Sequence, residues 1–146
     1  MGRLSSQRER TRATSDPGLD TRTAGSALRK TILIVDDNED IRDSLRMLLA
    51  MWGHEVSVAG TGESAVEVAL SEHPDVALVD IGLPGMSGYD VAREIRRAAS
   101  AWDTSIKLVA ITGYGQPADR ERALASGFDT HMLKPVDPAM LEKMFQ

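Results

Sequence analysis

Asp36-Asp37, Asp80, Thr112 and Lys134 are the residues of this 146-residue chain whose types and order could do chemistry together. Each stands at the C-terminal end of an apolar run. Ile32-Leu33-Ile34-Val35 leads into the acidic pair, Val76-Ala77-Leu78-Val79 into Asp80, Leu108-Val109-Ala110-Ile111 into Thr112, and residues 128–133 into Lys134-Pro135. If these runs are parallel strands, the polar groups converge on one pocket with three carboxylates, a hydroxyl and an ammonium group. Carboxylates that close repel one another unless a cation lies among them. A hydroxyl and an ammonium complement phosphoryl oxygens, so the set suits a divalent cation and a phosphoryl group.

The elements that must position these groups follow from hydrophobic period. From residue 31 onward, strand-like and helix-like patterns alternate. Residues 31–35 are a run rich in β-branched residues, suited to a strand buried on both faces. Residues 38–52 place Ile41, Leu45, Leu48, Leu49 and Trp52 at helical spacing, and Gly53 stops that helix. A short strand is expected over 55–59, a helix over 62–72 burying Ala65, Ala69 and Leu70, and a break at His73-Pro74. A strand over 75–80 and a helix over 87–99, with Val91, Ile95 and Ala98 on one face, come next. A strand over 106–111, a weakly amphipathic helix over 117–126 opened by Pro117, a strand over 128–133 and a helix over 137–146 complete the order. Five strand–helix units imply an α/β fold: a (βα)5 doubly wound parallel sheet with the flavodoxin-like strand order 2-1-3-4-5. In such sheets ligands bind beyond the carboxyl ends of the strands, where all four polar signatures lie.

Composition agrees. An apolar fraction of 42% and a charged fraction of 27% are those of a globular protein, and there is no cysteine for disulfide or thiolate chemistry. The net charge of −5 divides unevenly. Residues 1–30 hold seven Arg and Lys against three acids, whereas residues 31–146 hold ten against nineteen. So acidic a domain repels nucleic-acid phosphates, and no direct nucleic-acid binding is expected. Residues 1–30 have few large apolar side chains and read as a flexible basic linker or tail, with a targeting segment as the alternative. No apolar stretch reaches the ~18 residues of a membrane span, so no membrane association and a cytoplasmic location are expected.

The ordered set resembles a known family. Residues 31–146 are similar to the receiver domain of two-component response regulators: an acidic pair after the first strand, an Asp after the third, a Ser or Thr after the fourth and Lys-Pro after the fifth. The runs Ala110-Ile111-Thr112-Gly113-Tyr114, Gly127-Phe128-Asp129 and Lys134-Pro135-Val136-Asp137 carry the same resemblance, closest to receivers attached to hybrid histidine kinases. The resemblance implies that Asp80 accepts a phosphoryl group from a phosphohistidine donor. It implies a Mg²⁺ ion, with Mn²⁺ as a substitute, on Asp36, Asp37, Asp80 and the main-chain carbonyl of Gly82. It also implies that Thr112 and Lys134 read the phosphoryl charge, that the Lys134-Pro135 bond is cis and that His131 is a switch partner of Thr112. Gly82 and Tyr114 would tune dephosphorylation. The implied partner is a histidine kinase or a histidine phosphotransfer protein, with a kinase domain in cis as an option. The output surface would be the fourth helix, fifth strand and fifth helix, with a mobile fourth helix; the kinase-facing surface would be the first helix near Ile41 and Leu45 with the loop beyond Pro135.

Each residue also has a plainer reading. Asp36-Asp37-Asn38 could cap the first helix, Asp80 could be a turn residue before a Gly-Pro loop, Lys134-Pro135 a solvated loop, and His131 an uncoupled strand histidine. His54 and His73 lack ligand spacing, and Trp52 and Trp102 read as packing residues. A calcium loop starting at Asp36 fails because its sixth position is Ile41 and its twelfth is Met47. Gly60-Thr61-Gly62 imitates a dinucleotide fingerprint but follows the second strand. Two alternatives to a phosphoacceptor remain: a degenerate receiver that binds partners without phosphorylation, and an aspartyl-phosphate phosphatase, for which Asp80-Ile81-Gly82 lacks a second acid.

Overall fold

A computed structural model of the chain describes residues 29–113 and 117–145. Five strands, β1 (Thr31–Val35), β2 (Glu55–Ala59), β3 (Val76–Asp80), β4 (Lys107–Thr112) and β5 (Thr130–Leu133), alternate with five helices. The helices are α1 (Glu39–Met51), α2 (Gly62–Glu72), α3 (Gly88–Ala99), α4 (Pro117–Ala125) and α5 (Pro138–Met144). All strand pairs are parallel and the order is β2-β1-β3-β4-β5. The expected strand order 2-1-3-4-5 is therefore the observed one.

The strands divide their side chains between two cores, as the period of two requires. Ile32, Ile34, Val76, Leu78, Val109, Ile111 and Met132 meet Leu49 of α1 and Leu141 of α5 on one face. Leu33, Val35, Ala77, Val79, Leu108 and Ala110 meet Ala65, Ala69, Val91, Ala92, Ile95 and Ala123 of α2, α3 and α4 on the other. Small alanines on α2 let it lie close to the sheet, while the central strands carry the bulk. The sheet reverses its winding between β1 and β3, so a crevice opens at their carboxyl ends.

Helix ends are set locally. Asn38 caps α1 by accepting from the Ile41 amide, Thr61 and Ser64 form a capping box on α2, and Ser87 and Asp137 cap α3 and α5. Asn38, and neither aspartate before it, is thus the residue that caps α1. Some expected boundaries move. Ile106 and Phe128 lie outside β4 and β5 although both are buried, and the Phe128 amide donates back to the Ala123 carbonyl of α4. Leu70 was expected to be buried with Ala65 and Ala69, but it is 45% exposed. It follows Ala69 by one residue, a turn of about 100° that carries it off the inward stripe. Ala98 is only half-buried beside the enclosed Val91 and Ile95. Trp52 and Trp102 pack against the two cores, and His73, at φ +48, stacks on Trp102 with ring centroids 4.0 Å apart.

Candidate functional site

Asp36 follows β1 directly and is buried, its amide donating to the Ala59 carbonyl at the end of β2 (3.1 Å). Its Oδ1 accepts from the Asn38 amide at 2.9 Å. Burial holds this carboxyl above the ordinary carboxylate range; the Asn38 bond and Lys134 oppose that, while Asp80 and Asp37 reinforce it. Asp37 is exposed beside it. Asp80 ends β3, and is buried, with Oδ1 accepting from the Gly82 amide at 2.9 Å. One carboxylate oxygen from each of Asp36, Asp37 and Asp80 lies within 4.8 Å of the other two.

Lys134 comes to this cluster from the far edge of the sheet. Its amide donates to the Thr112 carbonyl (2.8 Å), which fixes the strand end, and the Lys134-Pro135 peptide bond is cis. The Nζ lies 3.0 Å from Asp80 Oδ2 and 3.9 Å from Asp36 Oδ2. One ammonium thus faces two of the three carboxylates, those of Asp80 and Asp36. The donors are all hard oxygens without sulfur or imidazole, a set that suits Mg²⁺ or Mn²⁺ and not Zn²⁺.

Thr112 is buried at the end of β4. It belongs to the face of the sheet that meets α3 and α4, because Leu108 and Ala110 lie there and alternate residues share a face. His131 lies on the same face of the adjacent β5, since Met132 between His131 and Leu133 faces α1 and α5. The register pairs Ala110 with His131 and Thr112 with Leu133, so Thr112 and His131 are diagonal neighbours. Gly82, two residues after Asp80, is exposed, and an added Cβ would lie 3.5 Å from Asp80 Oδ1. Tyr114 lies outside the described residues.

The sequence reading missed two supports. Gly88 opens α3 against Asp80, where a Cβ would stand 2.6 Å from the Asp80 carbonyl oxygen and 2.7 Å from the Ile81 Cα. Only a residue without a side chain lets the helix start so close to the strand end. Arg42, on the first turns of α1, reaches back to donate through Nη1 to the Asp36 carbonyl (3.0 Å). Nothing in their spacing announces either contact. Beside the site, a cavity of about 530 Å³ opens between α1 and the segment after β5. Ile41, Leu45, Pro135 and Val136 line it, with Asp36 and Lys134 at its edge. No helix among the described residues is long and apolar enough to cross a membrane.

Comparison with known proteins agrees with this geometry. Residues 32–146 match the family model described as "Response regulator receiver domain". A probable transcriptional regulator ycf27 of Cyanophora paradoxa is 37% identical over 114 residues, covering 78% of this chain and 46% of that protein. The chain thus spans less than half the length of that relative. Among solved structures, the receiver domain of the sensor histidine kinase PA1611 of Pseudomonas aeruginosa, with a magnesium ion coordinated in its active-site cleft, aligns with a TM-score of 0.71 and 29% identity over 81% of this chain and 95% of that one. The receiver domain of the Saccharomyces cerevisiae response regulator Ssk1, solved with the histidine phosphotransfer protein Ypd1, aligns with a TM-score of 0.75 and 26% identity over 80% and 86%.

Proposed function

The chain belongs to the response regulator receiver domain family, and on that premise we propose that Asp80 accepts a phosphoryl group from a phosphohistidine donor. The observation that carries this reading is the convergence of Asp36, Asp37 and Asp80 within 4.8 Å, with Lys134 3.0 Å from Asp80. One Asp80 carboxylate oxygen attacks phosphorus as the donor's N–P bond breaks and the imidazole nitrogen keeps the electron pair, leaving an acyl phosphate. The transition state of such a transfer is loose, so positioning and charge neutralisation do most of the work.

Asp36, Asp37, Asp80 and the Gly82 carbonyl would hold Mg²⁺, or Mn²⁺ in its place. When bound, the ion neutralises the carboxylates and the phosphoryl oxygens. The chain's own residues do the rest. The Gly82 amide orients one Asp80 oxygen, and Lys134 would exchange its contact with Asp80 for a phosphoryl oxygen once Asp80 is phosphorylated. Thr112 closes on another phosphoryl oxygen through its hydroxyl. That movement vacates space on the face it shares with His131, whose inward turn would carry the signal to α4, β5 and α5. Gly82, with no side chain to orient a water, and Tyr114 set the lifetime of the acyl phosphate.

We place the donor on α1 near Ile41 and Leu45 and on the segment after Pro135, where the cavity adjoins Lys134 and Asp36. The donor is a histidine kinase or a phosphotransfer protein such as the one in the Ssk1 complex; a kinase domain in cis is the other arrangement. Residues 31–146 form the receiver unit, acting in the cytoplasm where such donors work, and the chain turns over no external substrate.

The test is incubation with Mg²⁺ and a small acyl-phosphate donor, read by intact mass. One alkali-labile phosphoryl group per chain, absent from Asp80→Asn, is expected. Many turnovers of donor without retained phosphate would identify a phosphatase, and no modification would leave an interaction module.

A further inference from the structure

Three bonds hold the main chain and side chain of Asp36. Its amide donates to Ala59 at the end of β2, its Oδ1 accepts from the Asn38 amide, and its carbonyl accepts from Arg42 Nη1 at 3.0 Å. The third is unlike the others, because the Asp36 carbonyl belongs to the peptide plane that joins Asp36 to Asp37. Turning that plane changes the angle between the two carboxylates. Arg42 is itself fixed: its amide donates to the Asn38 carbonyl in the first turn of α1, and its guanidinium lies over Gly60. A Cβ at position 60 would stand 2.7 Å from Nη1. A bare glycine directly after β2 is therefore what leaves room for the guanidinium.

We propose that Arg42, seated over Gly60, is the positioning residue for the acidic pair, setting the affinity for the divalent cation by holding the Asp36–Asp37 peptide plane. This rests on the Mg²⁺ reading of the site. Two effects of Arg42 oppose each other there. Its positive charge near the carboxylates disfavours a cation, so on electrostatics alone its removal tightens metal binding. Its hydrogen bond preorganises the ligands, so on positioning its removal weakens binding. The two roles predict opposite signs.

The guanidinium is the mobile end of a long side chain, so Gly60→Ala displaces it at little expense to the fold while keeping its charge. Mg²⁺ titration by calorimetry, repeated with Mn²⁺ followed by electron paramagnetic resonance, should give roughly tenfold weaker binding for Arg42→Ala and for Gly60→Ala. Gly60→Ala should add nothing further in the Arg42→Ala background, and thermal melting without metal should identify any variant that fails to fold. Unchanged or tighter binding by the folded variants would overturn the proposal and leave the Mg²⁺ reading in place. If the unaltered chain binds neither ion, the Mg²⁺ reading fails and this inference falls with it.

Discussion

The Lys134 ammonium lies 3.0 Å from the Asp80 carboxylate and 3.9 Å from that of Asp36, so one cation at the end of β5 serves two buried acids at the ends of β1 and β3. It occupies the position of counter-charge that a phosphoryl group would claim. Lys134→Met removes a positive charge from the rim of the acidic cluster. Mg²⁺ binding should therefore tighten by about threefold or more, a modest figure because the side chain is partly exposed. The phosphorylation rate should fall by about tenfold or more, because a phosphoryl oxygen loses its neutralising partner. Parallel metal titration and phosphorylation kinetics check both signs. Equal losses in both would mean that the lysine merely supports the fold.

Asp36 is a buried carboxylate held above its ordinary range chiefly by burial, and its charge works against the fold at neutral pH. Asp36→Asn keeps an oxygen to accept from the Asn38 amide and removes the charge. Without metal, the variant should melt a few degrees above the parent protein at pH 7, as a gain of about 1 kcal/mol would give. Mg²⁺, which should raise the melting temperature of the parent protein by mass action, should have little effect on the variant. A destabilised variant would show that the carboxylate is offset within the apoprotein.

Gly88→Ala places a methyl group 2.6 Å from the Asp80 carbonyl oxygen and 2.7 Å from the Ile81 Cα, both main-chain atoms that cannot swing away. The expected loss in stability, by urea denaturation, is about 1–3 kcal/mol. Because the strain falls on Asp80, the proposed acceptor, phosphorylation should slow in the fraction that stays folded. Normal kinetics with normal stability would mean that α3 retreats freely from β3.

His54 is buried just before β2, with Nδ1 accepting from the Lys30 amide at 3.0 Å and the ring 4.9 Å from Phe145. Burial, and then Lys30 and Arg29, push its pKa below the usual histidine value; Glu55 beside it is engaged by Arg29 at 3.1 Å. The neutral ring is the one that accepts the bond. As pH falls below about 6.5, the unfolded chain takes up a proton that the folded chain refuses, so stability declines from there toward the lowered folded pKa. Denaturation at pH 7.5 and pH 5.5 should show this decline, and His54→Asn, which accepts the same bond without titrating, should lessen it. An identical slope in the two proteins would move the effect elsewhere.

Much of this was legible in the sequence, for a physical reason. Strands buried on both faces must be continuous apolar runs, so β1, β3 and β4 announced themselves, and the polar residue ending each run announced the site. Asp36, Asp37, Asp80 and Lys134 do meet. The edge strand β5 was less clear, because Phe128 is buried before pairing begins at Thr130. Leu70 misled because an apolar residue one step off a helical stripe looks like part of it. Arg42 and Gly88 were illegible, since one acts on a main-chain carbonyl and the other by lacking a side chain. Their partners are named by folding alone.

In the proposed function, Asp80 takes phosphate in a cation-dependent step. The direct measurement is phosphotransfer from a labelled phosphohistidine protein, with the acceptor residue located by borohydride cleavage of the acyl phosphate. Label on Asp80 in the presence of Mg²⁺, lost with a chelator and in Asp80→Asn, is the expected result. Label elsewhere, or equal transfer without a divalent cation, would contradict the role assigned to the acidic cluster.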